Sequence, residues 1–159
     1  ILDGKKLSQQ IKEEIRQAVA LRKEKGQKVP HLAAVLVGND GASLTYVGSK
    51  VRSCEQVGFK STLIRLEQSI TEAALLSRIK TLNEDDTLDG YIVQLPLPKH
   101  IDEEKILLAV DPKKDVDGFH PSNFGRMALE MDSFIPATPF GIMEMLKRYD
   151  VDISGNTVW

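Results

Sequence analysis

Apolar residues recur near the start of the chain at Leu7, Ile11, Ile15, Ala18 and Leu21, the three-and-four spacing of a helix with one buried stripe. Lys12, Glu13, Glu14 and Arg16 ring that stripe, and Gly26 ends the helix. After Pro30 the pattern changes to the short unbroken run Leu32-Ala33-Ala34-Val35-Leu36-Val37, which predicts a central parallel strand covered on both faces. Gly38-Asn39-Asp40-Gly41 is a turn, and Asp40 can cap a helix from about Ala42 to Val57, stopped by Gly58. The cycle repeats with a strand over Phe59 to Leu66. Ser69 and Glu72 then have the spacing of a capping box for a helix through Ile79 and Leu82. A third cycle comes next: the strand Gly90-Tyr91-Ile92-Val93-Gln94 is stopped by Pro96 and Pro98, and Asp102 caps a helix through Val110. From Asp111 to Ile135 no period is clear, so the segment reads as loop with a short helix around Asn123 to Leu129. Thr138, with Pro139 at the first helical position, predicts a last helix to about Tyr149.

Strand and helix in alternation predict the α/β class with a mainly parallel sheet. A chain of 159 residues suits one good-sized core. No apolar run approaches the roughly 18 residues of a membrane span, which argues for a soluble protein. The formal charge of -2 provides no footprint for nucleic acid, so the expected partner is a small molecule. A lone Cys54 without a secretory leader points to a reducing compartment, most simply the cytoplasm. Ile1 stands where an initiator methionine would, and Ser154 to Trp159 reads as a turn opening into a strand from Thr157, so the chain is expected to be part of something longer.

In open parallel sheets ligands sit beyond the carboxyl ends of the strands, and three places there carry candidate chemistry. Tyr46 and Lys50, four apart on the second helix, project one turn from each other on the same face. Lys50 falls at the border of the stripe Leu44, Val47, Val51 and Cys54, where partial burial would lower its proton affinity. A snorkelling lysine beside an interfacial tyrosine would have the same spacing. Gln94 ends its strand ahead of the rigid Leu95-Pro96-Leu97-Pro98 and offers a donor and an acceptor to a heterocycle or to Lys50; it would equally tie down a loop. In Lys114-Asp115-Val116-Asp117-Gly118, two carboxylates separated by one residue stand ahead of a glycine, and one can reach a ligand while the other braces the loop. A calcium loop does not fit, because aligning Gly118 with its glycine puts Lys113 first and Phe124 last. His31, His100 and His120 are scattered, so no zinc site is expected, and no nucleotide-binding glycine motif occurs. Cys54, on an apolar stripe, reads as core.

Together, Tyr46-Val47-Gly48-Ser49-Lys50, Val93-Gln94-Leu95-Pro96-Leu97-Pro98, Lys114-Asp115-Val116-Asp117-Gly118 and Pro136-Ala137-Thr138-Pro139 resemble the methylenetetrahydrofolate dehydrogenase/cyclohydrolase family. Asp40-Gly41-Ala42-Ser43 fits the family's strand-to-helix turn; Ala137, where a cysteine is common, and Trp159 depart from its pattern. The resemblance implies a three-layer α/β/α folate-binding catalytic domain over residues 1–150, with 151–159 opening an NADP-binding Rossmann domain otherwise missing from this chain. It implies oxidation of 5,10-methylenetetrahydrofolate with NADP and hydrolysis of the methenyl product to 10-formyltetrahydrofolate, by an enzyme that pairs as a homodimer. Carried over, Lys50 handles the proton of the hydrolytic step, Tyr46 lies along the folate, Gln94 bonds and tunes Lys50, Leu95 and Pro96 contact substrate, Asp117 binds the pterin and Asp115 braces the loop. Two alternatives stay open: an isolated half retaining only the cyclohydrolase, or a non-catalytic folate-binding domain.

Overall fold

The computed structural model describes residues 1–155. Its elements are α1 (Gly4–Glu24), β1 (His31–Val37), α2 (Gly41–Val57), β2 (Lys60–Leu66), α3 (Glu72–Glu84), β3 (Gly90–Val93), α4 (Glu103–Ala109), α5 (Pro121–Ala128) and α6 (Ala137–Arg148). The three strands are parallel in the order β2-β1-β3, so the continuously apolar run is the central strand, as its composition requires.

Alternate residues of β1 feed two cores. Ala33, Val35 and Val37 pack with Leu75, Ile79 and Leu82 of α3 and Ile106 of α4. Ala34 and Leu36 face the other way, onto Val47 of α2. Helices therefore cover both faces, giving the expected three layers. On the α2 side, α1 completes the outer layer with Leu7 and Val19 buried. Leu21, expected on its stripe, is exposed, and Val19 takes the inner position.

Local chemistry explains most boundaries. The Asp40 carboxylate accepts from the Ser43 N–H (2.8 Å) to start α2, and Gly58, at φ 82°, ends it in the left-handed region. Two expected caps are corrected. α3 is started by Thr71, whose hydroxyl accepts from the Ala74 N–H, rather than by Ser69. Glu72 is drawn away to the Asp102 N–H and to Lys105 Nζ, so no capping box closes. α6 begins after Pro136 with no side-chain cap, leaving Thr138 and Pro139 inside its first turn. α5 starts earlier than expected, at Pro121, with the ring of His120 accepting from the Ser122 N–H. The strand expected from Thr157 lies outside the described residues.

The edge of β3 not paired to β1 is covered by the chain itself. Tyr91 pairs with Asp115 in an isolated parallel bridge, its N–H donating to the Lys114 carbonyl (2.9 Å). The Tyr91 hydroxyl donates to Asn83 Oδ1, which also accepts from the Asp111 N–H, and Lys114 Nζ donates to the carbonyls of Leu82 and Asp85. The two-carboxylate segment is thus fastened to both β3 and the end of α3. The fit leaves no room at Gly90, where a Cβ would lie 2.2 Å from Val116 Cγ1 and 3.2 Å from the Lys114 carbonyl. Gly90→Ala is expected to destabilise the fold by about 1–3 kcal/mol through overpacking. A urea unfolding midpoint unchanged from wild type would show that the segment gives way at no cost.

Candidate active site

Lys50 of α2 and Asp117, beyond the β3 edge, are 67 residues apart in the numbering and meet as an ion pair, Nζ to Oδ2 3.7 Å. Asp117 is placed by its own segment. Asp115 turns inward, 4% exposed, and its Oδ2 accepts from the His120 N–H (2.8 Å) and from Asn123 Nδ2 (3.0 Å). Asp117, two residues on, turns towards α2; a regular strand would put both carboxylates on one face, but the chain turns at 116–117, with the Gly118 N–H donating to the Asp115 carbonyl (3.1 Å), and the two diverge. Gly118 then adopts φ 70°, and a Cβ there would sit 2.7 Å from the backbone of Ile135 and Pro136. Only glycine combines that dihedral with so close an approach.

The surroundings differ from expectation at two residues. The Lys50 side chain is 44% exposed, so the low-dielectric setting expected at the edge of the α2 stripe is not found; its defining neighbour is a charge instead. Gln94 does not bond Lys50. Its Nε2 donates to the Leu95 carbonyl (2.8 Å), a nearby acceptor on its own chain, which leaves Oε1 buried with no donor. Tyr46 stands one turn before Lys50 and is 65% exposed, while Leu95 and Pro96 form an exposed rim after β3. Thus Lys50 and Asp117 form an ion pair, whereas among the described residues no hydrogen bond joins Tyr46 or Gln94 to either.

Two cavities share the Asp117 side chain. One of about 300 Å³ lies between α2 and the sheet and includes Lys50, Cys54, Ile92 and Val116. The other, about 200 Å³, lies between β3 and α4 and includes Leu95, Glu103, Glu104 and Phe119. Burial pushes the Cys54 thiol up from its ordinary range, in keeping with packing rather than nucleophilic attack. Among the described residues no group of three His, Cys, Asp or Glu side chains could hold a metal ion, and no helix is long and apolar enough to cross a membrane.

The sequence places Ser43 only in the Asp40–Ser43 turn and gives it no role of its own. It is almost fully buried on α2, and its hydroxyl donates to the Leu95 carbonyl (3.4 Å), tying the start of α2 to the loop after β3. Its signal was present, since it precedes Val47 by four on the buried stripe. Asn83 and Asn123, by contrast, act through contacts 26 to 28 and 8 to 11 residues away, which spacing does not encode.

Burial raises the pKa of Asp117, the nearby Lys50 ammonium opposes that rise, and the charge of Asp115 adds to it; the net direction is upward. The folded protein therefore holds this proton more tightly than the unfolded chain does. That stabilisation is present at low pH and is lost as pH rises through the folded pKa, leaving the ionised carboxylate a cost at neutrality. Asp117→Asn is accordingly expected to melt at or above the wild-type temperature at pH 7, and the gap should narrow as the pH is lowered towards 4. A variant melting well below wild type at pH 7 would show that the ion pair with Lys50 outweighs burial.

Comparison with known proteins bears on this arrangement. Residues 2–117 match the family model described as tetrahydrofolate dehydrogenase/cyclohydrolase, catalytic domain. The chain is 73% identical over 155 residues to a Flavobacterium johnsoniae protein named bifunctional protein FolD, covering 98% of this chain and 52% of that one. A Porphyromonas gingivalis protein of the same name is 58% identical over 155 residues, with the same coverage of both chains. Among solved structures, the Campylobacter jejuni bifunctional enzyme FolD, a methylenetetrahydrofolate dehydrogenase/cyclohydrolase, superimposes with a TM-score of 0.93 at 48% identity, covering 97% of this chain and 55% of that one. A Trypanosoma brucei methylenetetrahydrofolate dehydrogenase-cyclohydrolase, solved with NADP cofactor and inhibitor, gives 0.90 at 32% identity, covering 96% and 52%. The chain spans about half the length of the curated relatives it matches. With its family model matched across both the Lys50 helix and the Asp117 segment, the chain belongs to the tetrahydrofolate dehydrogenase/cyclohydrolase family.

Proposed function

We propose that residues 1–150 form a folate-binding catalytic domain in which Lys50, Tyr46, Gln94 and Asp117 act on a tetrahydrofolate derivative. The observation that carries this reading is the Lys50–Asp117 pair, assembled from two separate elements and bordered by two cavities. Asp117 supplies an acceptor for the N–H groups of a pterin, and its partial burial strengthens such a bond. Tyr46 offers an exposed ring along which the aromatic part of the folate lies. The unpaired Oε1 of Gln94 is an acceptor waiting for a donor, from ligand or from Lys50 after a side-chain rotation.

The reaction proposed for the whole protein is oxidation of 5,10-methylenetetrahydrofolate with NADP, then hydrolysis of the methenyl product. In the hydrolytic step water attacks the carbon bridging N5 and N10. One of its protons passes through Lys50 to N5 as the C–N5 bond breaks, the other is released to solvent as the carbonyl forms, and the formyl group is left on N10. For the nucleotide, the described residues do not fit. The N-termini of α2, α3 and α4, each of which comes after a strand, are capped by Asp40, Thr71 and Asp102, with Glu72 in the first turn of α3; these side chains take N–H groups a pyrophosphate needs, and the carboxylates repel its charge. These residues therefore supply no step through NADP. A cytoplasmic setting and a homodimer complete the proposal.

Hydrolysis of supplied 5,10-methenyltetrahydrofolate, monitored by absorbance without NADP, tests the reading. Lys50→Met is expected to lower turnover by about 10²-fold or more, the scale of one positioned acid–base group, while folate binding stays within a few-fold of wild type. Equal turnover in the variant would remove Lys50 from the chemistry. Folate binding with no turnover even in the wild type would favour the non-catalytic binding domain.

A further inference from the structure

A third cavity, of about 680 Å³, takes no part in the site described above. Three separate stretches of chain line it: Pro112 and Lys113 ahead of the two-carboxylate segment, Asn123 and Arg126 on α5, and Asp132 to Phe134 ahead of α6. Contacts that use none of the lysine's charge hold these stretches together. The Asn123 amide donates to the Pro112 carbonyl (2.8 Å), Arg126 Nε donates to the Asp132 carbonyl (2.8 Å), and the Lys113 N–H donates to the Asp111 carboxylate (2.9 Å).

What remains around the cavity is a set of donors without acceptors. Among the described residues no hydrogen bond or ion pair engages the Lys113 ammonium or the two η nitrogens of Arg126. The Ser133 hydroxyl is closed off from solvent with no partner, although such groups are ordinarily satisfied. The N–H groups of Ser133 and Phe134 also donate to nothing among the described residues. Asp132 is the opposing charge in the lining, and it forms an ion pair with neither cation. The complement of such a lining is an anion with acceptor oxygens pointing several ways. A carboxylate has two oxygens in one plane, whereas a phosphate group spreads its oxygens in three dimensions and can meet two cations and a hydroxyl from different sides.

We propose that this cavity is a phosphate site, taking inorganic phosphate or the phosphoryl group of a small monoester between Lys113 and Arg126, with the Ser133 hydroxyl joining by rotation about χ1. The proposal does not depend on the folate reading. Its place in the fold gives it a consequence for the loop that carries Asp117. The lining stretch runs on from Phe134 into the Ile135–Pro136 backbone against which Gly118 packs, and a Cβ on Gly118 would lie 2.9 Å from the Phe134 carbonyl oxygen. An anion that ties Ser133 to Lys113 and Arg126 therefore stiffens the wall behind the residue next to Asp117.

The test is a titration of the 159-residue chain with sodium phosphate at constant ionic strength, followed by nitrogen-15 amide shifts. Saturable shifts confined to residues 112–113, 126 and 132–134 are expected. Lys113→Gln should weaken binding about tenfold, the scale of one charge-assisted contact, and Asp132→Asn should tighten it by removing a repelling charge. Both side chains are exposed, so neither change threatens the fold. At saturation the Gly118 amide, which donates to the Asp115 carbonyl, should exchange with solvent several-fold more slowly. Glycerol 2-phosphate in place of the free ion identifies the source: weaker binding assigns the site to inorganic phosphate, and equal or tighter binding to a phosphomonoester. Shifts that do not saturate, that spread equally to remote lysines such as Lys80, or that persist unchanged in Lys113→Gln overturn the site. Unaltered Gly118 exchange at saturation overturns its link to the Asp117 loop.

Discussion

The rest of this molecule depends on how the free edge of β3 is satisfied. A parallel strand at the end of a sheet leaves a row of backbone donors and acceptors without partners, and here the chain supplies them from its own next extended segment. That segment carries two carboxylates, and a turn closed by the Gly118 N–H on the Asp115 carbonyl, directly after the bridge to β3, sends one inward and one outward. The inward one is gripped by α5 through Asn123, and the outward one reaches the lysine of α2. Edge protection and site construction are a single act of folding, and Gly90 and Gly118 are the positions at which the close approach is possible.

The electrostatics of the site depend on that geometry more than on burial of the lysine. A base or acid can be tuned by removing water or by placing charges, and this domain uses both means at Asp117. Charge placement works without a closed pocket, which suits a pair standing between two modest cavities.

Much of this was legible in the sequence. The unbroken apolar run 32–37, the turn residues 38–41 and the glycine after Val57 each act through neighbours within a few positions, and the corresponding elements formed within a residue or two of expectation. The opposite facing of Asp115 and Asp117 comes from a turn at 116–117 and not from strand alternation, whose period of two would put both carboxylates on one face. What failed were inferences needing a partner from elsewhere. Glu72 left its expected cap because Lys105 and the Asp102 amide are better company. Gln94 took a backbone carbonyl close by, and Lys50 remained half in solvent because helix periodicity gives direction without saying how much chain lies over it. Asn83 and Asn123, which fasten the loop to its scaffold, are invisible until the tertiary fold brings their acceptors near.

The last helix shows how unevenly cohesion is distributed. α6 has no fully buried residue; Phe140, Ile142 and Met143 are about half exposed, and what ties it back to α1 is the half-buried Met145 beside Gly4 together with polar links, the Arg148 guanidinium on Glu14 and the Tyr149 hydroxyl on Asp3. Detaching it sacrifices little apolar burial, whereas opening β1 exposes both cores at once. The molecule therefore has two thresholds of opening, a low one at its carboxyl-terminal helix and a high one at its sheet, and amide protons in the two regions would exchange with solvent by different events.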